Sequence, residues 1–201
     1  MAFETLKRAA GRVLPLGLSP RGGRNARWQT ARALYGQIIE AARQPVFYTA
    51  YGVPDTVEGR TDLLNLHAFL GMRRLRGGGE PARLFSQTLF DVMVRDLDDN
   101  LREMGVGHDK VGKKVRELAE GFFGRLGAYT EALDGGGGGN GALARALGRN
   151  VYEDEEAGFA PALARYARAA DAQLSATAPE TLMRGEIAFP APEAFLEEAD
   201  R

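Results

Sequence analysis

With 201 residues and 44% hydrophobic content, the chain can bury one sizeable core and leave peripheral segments over. A formal charge of −1 supplies no global basic field, so no nucleic-acid partner is expected. Cysteine is absent, which excludes disulfides and thiolate metal sites and fits a cytoplasmic location. No apolar run reaches the roughly 18 residues that a membrane span needs, and the first residues lack the apolar core of a secretory signal. Charge is nonetheless uneven. Residues 1–30 hold six Lys/Arg against Glu4, a net of +5, and residues 151–201 hold eleven Asp/Glu against four Arg, a net of −7.

The periodicity is helical almost throughout, and no alternating stretch proposes a sheet. Residues 1–26 form a leader in which Phe3, Leu6, Val13, Leu14 and Leu16 are interspersed with Lys7, Arg8 and Arg12. Such a segment can lie on an anionic membrane, giving peripheral contact with the inner face of the cytoplasmic membrane. Pro15 and Pro20 favour a merely solubilising leader instead, and both readings stand. The helical domain spans 27–178. Its first helix, from Arg27 to Gln44, carries Ala31, Leu34, Tyr35, Ile38, Ile39 and Ala42 on one stripe and stops at Pro45.

Residues 46–54 read as an ordered linker with three aromatics, Phe47, Tyr48 and Tyr51. Asp55 with Glu58 has capping-box spacing and Thr61 is the other candidate to open the next helix. That helix, reaching about Arg76, is apolar on nearly every side through Leu63–Met72, the pattern of a central buried helix. A long helix follows from Pro81 to Met104, with a core face of Phe85, Leu89, Val92, Met93, Leu97, Leu101 and Met104. After the Gly105-Val106-Gly107 turn, Asp109 is a plausible N-cap. The helix beyond it carries Val111, Val115, Leu118, Phe122, Leu126, Tyr129 and Leu133 as a bundle seam.

Residues 135–141 form a glycine-rich connector. Shorter helices are expected around 142–148 and 155–174, the second with Phe159, Leu163, Tyr166, Ala170 and Leu174 on one side. Pro190 and Pro192 break the pattern after Pro179, and 179–201 reads as an acidic tail. The fold class is therefore all-α: one helical bundle with additional C-terminal helices.

Chemical templates fail one by one. Asp96, Asp98 and Asn100 match the first ligands of an EF-hand loop, but Leu101 replaces its glycine and Gly107 its bidentate Glu. A prenyl-transfer diphosphate site fails because Arg102 stands where a third Asp is required. Asp96, Asp99 and Glu103 instead read as a solvated helix face paired with Arg95 and Arg102, or as a protein-binding surface. His67 sits among Leu66, Phe69 and Leu70 and reads as a hydrogen-bonded core histidine, and His108, in a glycine turn, as exposed. Ser19, Ser86 and Ser175 form no nucleophile elbow, and the glycine runs lack the Gly-Lys-Ser/Thr of a phosphate loop. No cofactor, metal or catalytic residue is expected.

The segments YGVPDTVEGR (51–60), LHAFL (66–70), SQTLFDVMVRDLDDNLREMGVG (86–107) and GRLGAY (124–129) resemble the ubiquinol–cytochrome c chaperones, which assist assembly of the respiratory cytochrome bc1 complex. The resemblance implies a non-enzymatic factor that receives newly made cytochrome b, acting in mitochondrial members with a second small subunit at the ribosomal exit. The lack of a long transit-like extension fits a bacterial member. The client-binding residues expected are Phe47, Tyr48 and Tyr51 beside the all-round apolar helix, with Asp96, Asp99, Arg102 and Glu103 as a second patch. Two alternatives stand beside this: a small metal-dependent enzyme with an acidic site around Asp91, Asp96 and Asp99, and an adaptor without chaperone activity.

Overall fold

The computed structural model describes residues 21–135 and 139–196. The leader as far as residue 20, the centre of the glycine-rich connector and the last five residues lie outside them. The described chain is all-α. Its elements are α1 (Arg21–Ala42), α2 (Val46–Thr49), α3 (Val57–Leu75), α4 (Gly79–Glu103), α5 (His108–Asp134), α6 (Gly139–Val151), α7 (Ala160–Ala176), α8 (Pro179–Met183) and a 3-10 turn (Pro192–Phe195).

Helix α3 is the centre. It packs against α1, α4, α6, α7 and α8, and every residue from Leu66 to Met72 is buried. An all-round apolar helix has no face to spare for water, so its neighbours must surround it. Four further pairs, α1 with α4, α4 with α5, α5 with α6 and α6 with α7, close the bundle around it. Along the α5 seam Val111, Phe122, Leu126 and Tyr129 are buried, whereas Val115, Leu118 and Leu133 are half-buried.

Several boundaries differ from the sequence expectation, each for a local reason. Helix α1 begins at Arg21, whereas Ala31 is its first buried residue among the described side chains, because periodicity registers only the packed part of a helix. Neither Asp55 with Glu58 nor Thr61 caps α3. Thr56, with extended backbone at φ −113° and ψ 171°, is the N-cap, and its hydroxyl accepts from the Gly59 N–H at 3.1 Å. Asp55 binds Arg60 at 2.6 Å instead, and the Thr61 hydroxyl donates to the Val57 carbonyl. Gly107, not Asp109, is the N-cap of α5, and Asp109 lies in its first turn. The linker after Pro45 contains the short helix α2. Residues 152–159 form a loop before α7, in which Asp154 Oδ1 accepts from the Glu156 N–H at 3.0 Å, so Phe159 precedes α7 and is 46% exposed.

Residues 184–196 run across the bundle and are tied to it by side chains that read backbone. Gln37 Nε2 donates to the Gly185 carbonyl at 2.5 Å, and Gln37 Oε1 accepts from the Ile187 N–H at 3.1 Å. Gln173 Nε2 donates to the Ala188 carbonyl, and Arg165 Nε to the Phe195 carbonyl. Among the described residues no helix is long and apolar enough to cross a membrane.

The YGVPDTVEGR stretch is a compact corner between α2 and α3. Gly52 has φ +62°, and a Cβ there would lie 2.4 Å from the Phe159 ring. A Cβ at Gly59 would lie 2.1 Å from the Pro54 carbonyl oxygen, a backbone atom that cannot swing aside. Gly59→Ala should therefore cost about 2 kcal/mol or more in chemical denaturation. Gly36→Ala, with nothing within 4 Å of the added carbon, should be neutral or slightly stabilising.

Candidate functional site

Two regions compete for the role of binding surface: the aromatic linker and an apolar groove. Phe47 and Tyr51, two of the aromatics singled out in the linker, are fully buried. They join His67 of α3, Tyr166 of α7, Phe189 and Phe195 in one cluster. Phe47 stands edge-on to His67 (5.5 Å between ring centres) and to Tyr166 (5.1 Å), Phe189 edge-on to His67 (4.9 Å), and Phe195 edge-on to Tyr166 (6.1 Å).

Polar atoms in this cluster are matched. His67 Nδ1 donates to the Leu63 carbonyl at 2.8 Å, which leaves Nε2 to accept from the Tyr166 hydroxyl, also at 2.8 Å. The Tyr51 hydroxyl donates to the Pro192 carbonyl at 2.6 Å, and the Tyr152 hydroxyl to the Tyr51 carbonyl at 2.7 Å. Burial pushes the His67 pKa down to about 4, so the ring is neutral, and it raises that of Tyr166. Tyr48 alone stays half-exposed, with the Arg60 guanidinium 5.8 Å from its ring centre and its hydroxyl donating to the Ala42 carbonyl at 3.3 Å. His67 is thus the hydrogen-bonded core histidine expected of it. The side chain of His108 lies outside the described residues.

The groove lies between α1, the first half of α3, the last half of α4, the first half of α5 and the end of α6. Its cavity measures about 800 Å³, within the range of ligand-binding clefts. Ile39, Leu64, Val94, Leu97 and Leu118 line it, and Val57 (60% exposed) and Met104 (66% exposed) stand at its rim. Large apolar side chains so exposed at the mouth of a cavity make it the candidate docking surface.

The acidic patch on α4 does not stay together. Asp96 and Glu103 line the groove, and Asp99 and Arg102 do not. Asp96 Oδ2 accepts from the Tyr35 hydroxyl at 3.1 Å and from Asn100 Nδ2 at 3.2 Å, tying α1 to α4 at the groove wall. This burial and the carboxylate beside it raise the Tyr35 pKa. Arg102 Nε donates to Asp98 at 2.6 Å, Arg95 stands 3.9 Å from Asp99, and Asp91 accepts from Gln87. The single solvated face expected of Asp96, Asp99 and Glu103 is therefore split, because Tyr35 reaches across from α1. Nor do Asp91, Asp96 and Asp99 converge: among the described residues no three His, Cys, Asp or Glu side chains are placed to hold a metal ion.

Sequence reasoning assigned Leu97 and Met104 to the core, where the structure places them on the groove. A stripe at helical spacing looks the same whether it meets a neighbouring helix or lines a cavity. Missed altogether were Asp62 and Asn65, buried polar residues inside an apolar pattern. Asp62 is 8% exposed and binds Arg125 at 2.8 Å. Burial, with Glu153 and Glu58 adding repulsion, outweighs that pairing and pushes its pKa up to about 6.

The described residues thus form an all-helical bundle with an apolar groove rimmed by charged side chains. Residues 49–189 match the sequence model of the Ubiquinol-cytochrome C chaperone family, and the chain belongs to that family. It is also similar to a solved protein described as the Cbp3 homolog from Brucella abortus. Identity is 32%, the TM-score is 0.75, and the match covers 96% of this chain and 98% of that one. No curated protein shows significant similarity.

The two buried titrating groups act in opposite directions on stability. His67 is neutral in the fold and titrates near 6.5 when unfolded, so its contribution is complete above that pH and is lost as pH falls from about 6.5 to 4, on the order of 3 kcal/mol in all. Asp62, with its pKa raised from 3.8 to about 6, favours folding as pH falls through the same window. Asp62→Asn should therefore steepen the acid loss of stability, and His67→Gln should flatten or invert it. Urea denaturation at half-unit steps from pH 7 to pH 4 measures both slopes.

Proposed function

We propose that this protein is an assembly chaperone that binds newly made cytochrome b and supports biogenesis of the ubiquinol–cytochrome c reductase complex, with the α1/α3/α4/α5 groove as its client site. The observation that carries the site is the exposure of Val57 and Met104 at the mouth of a cavity walled by Ile39, Leu64, Leu97 and Leu118. A transmembrane segment outside the bilayer needs such a surface, because its apolar side chains otherwise face water. Membership in the ubiquinol–cytochrome c chaperone family supports this choice of client and complex. The protein acts by binding and without chemistry of its own, and it meets its client at the membrane surface or before insertion.

Phe47 and Tyr51 act on this reading from the core. They hold the α2–α3 corner and the C-terminal segment against the bundle. Tyr48, Asp96 and Glu103 stay within reach of a partner at the surface or in the groove.

Affinity capture from detergent-solubilised cells tests the proposal. Tagged protein should retain cytochrome b, with or without a chelator. Leu97→Glu, which puts a charge on the groove wall, should cut recovery by about tenfold while thermal unfolding stays within a few degrees. Recovery of a folded soluble protein in place of cytochrome b would identify an adaptor instead.

A further inference from the structure

One end of the groove has a composition that an apolar client does not explain. Glu58 and Asp62, four residues apart on one face of α3, meet Glu153 from the loop after α6, and all three line the cavity. Glu58 and Glu153 are exposed, and among the described residues neither makes an ion pair or a side-chain hydrogen bond. The nearby cations are mostly engaged: Arg125 by Asp62, Arg60 by Asp55 at 2.6 Å, and Arg149 by Glu155. Arg43 and Lys114 line the cavity too, but the charges that act on Asp62 are the Arg125 guanidinium and the two further carboxylates of Glu58 and Glu153.

Asn65 is the second, independent observation. It lines the same cavity, is only 7% exposed, and its amide has no hydrogen-bond partner among the described residues. The amide is not sealed from solvent but opens onto the cavity, and whatever fills the cavity, water or a ligand group, pairs with it. A metal ion is a poor candidate, since no described group of His, Cys, Asp or Glu is spaced to hold one.

We propose that Glu58, Asp62, Glu153 and Asn65 form a subsite for a basic side chain carried on an apolar helical segment of the client. The inference rests on the groove being the client site. The client's ammonium or guanidinium lies among the carboxylates, the Asn65 carbonyl oxygen accepts one of its hydrogens, and the adjoining apolar wall takes the rest of the helix. A basic residue inside an apolar segment is the part least tolerated by lipid, so a chaperone that recognises it selects segments that are not yet paired in their assembled complex. Charge complementarity here adds selectivity to an attraction that the apolar wall already provides.

The test uses the full chain and two fluorophore-labelled Leu/Ala helical peptides, identical except for a central Arg or Gln, titrated by fluorescence anisotropy at low salt. The Arg peptide should bind about tenfold more tightly. In the double variant Glu58→Gln/Glu153→Gln that preference should vanish, while affinity for the Gln peptide stays unchanged. Both substituted residues are exposed, so folding is preserved, and circular dichroism checks it. Equal affinity of the native protein for the two peptides, or a preference that survives in the double variant, would overturn the subsite and leave the groove reading intact. Failure of both peptides to bind would remove the groove reading and the subsite together.

Discussion

The neutral imidazole of His67 is the constraint on which the rest of the structure depends. Buried at the centre of α3, it has two hydrogen-bonding nitrogens and no access to water, so each must find a fixed partner. The Leu63 carbonyl takes one and the Tyr166 hydroxyl supplies the other. That second bond fixes α7 against α3, and the Tyr166 ring then becomes the surface on which Phe47 of α2 and Phe195 of the C-terminal turn stack edge-on. One hydrogen-bonded pair thereby sets the positions of four segments distant in sequence.

On the proposed function, closing this cluster restricts where a client can bind. The C-terminal segment lies over the aromatic rings and is secured by the Tyr51–Pro192, Gln37–Gly185 and Gln173–Ala188 hydrogen bonds. What stays open is the groove on α1, α3, α4 and α5, where Met104 and Val57 stand free. Central α3 serves both regions: its Leu66–Met72 stretch is embedded, and its Val57–Asn65 half contributes a groove wall. The Gly52–Gly59 corner packs closely at the start of α3, because neither glycine has room for a side chain.

Much of this was legible in the sequence. Helix periodicity located α1, α3, α4, α5 and α7, and the unbroken apolar run through Leu66–Met72 identified the central helix. His67 was legible because an imidazole ringed by Leu and Phe has to be satisfied internally. The groove was not, since Leu97, Leu118 and Met104 continue the same stripes that pack elsewhere, and only the divergence of the helices separates wall from core. Asp62 and Asn65 were hidden for a similar reason: a polar residue in an apolar helix gives no sign of which neighbour will answer it. Phe47 and Tyr51 lie outside the regular stripes, yet they are core, because α2 turns them inward under the C-terminal segment.

The central claim is that client binding uses the groove while the aromatic cluster stays closed. Site-specific photo-crosslinking tests it most directly, with the crosslinking residue placed in separate proteins at positions 57, 97 and 104 and at positions 47 and 51. In cells making cytochrome b, the three groove positions should label it, and positions 47 and 51 should label only this protein's own α3, α7 and C-terminal segment. Labelling of cytochrome b from 47 and 51, with none from 57, 97 and 104, would contradict the account and place the client on an opened aromatic cluster.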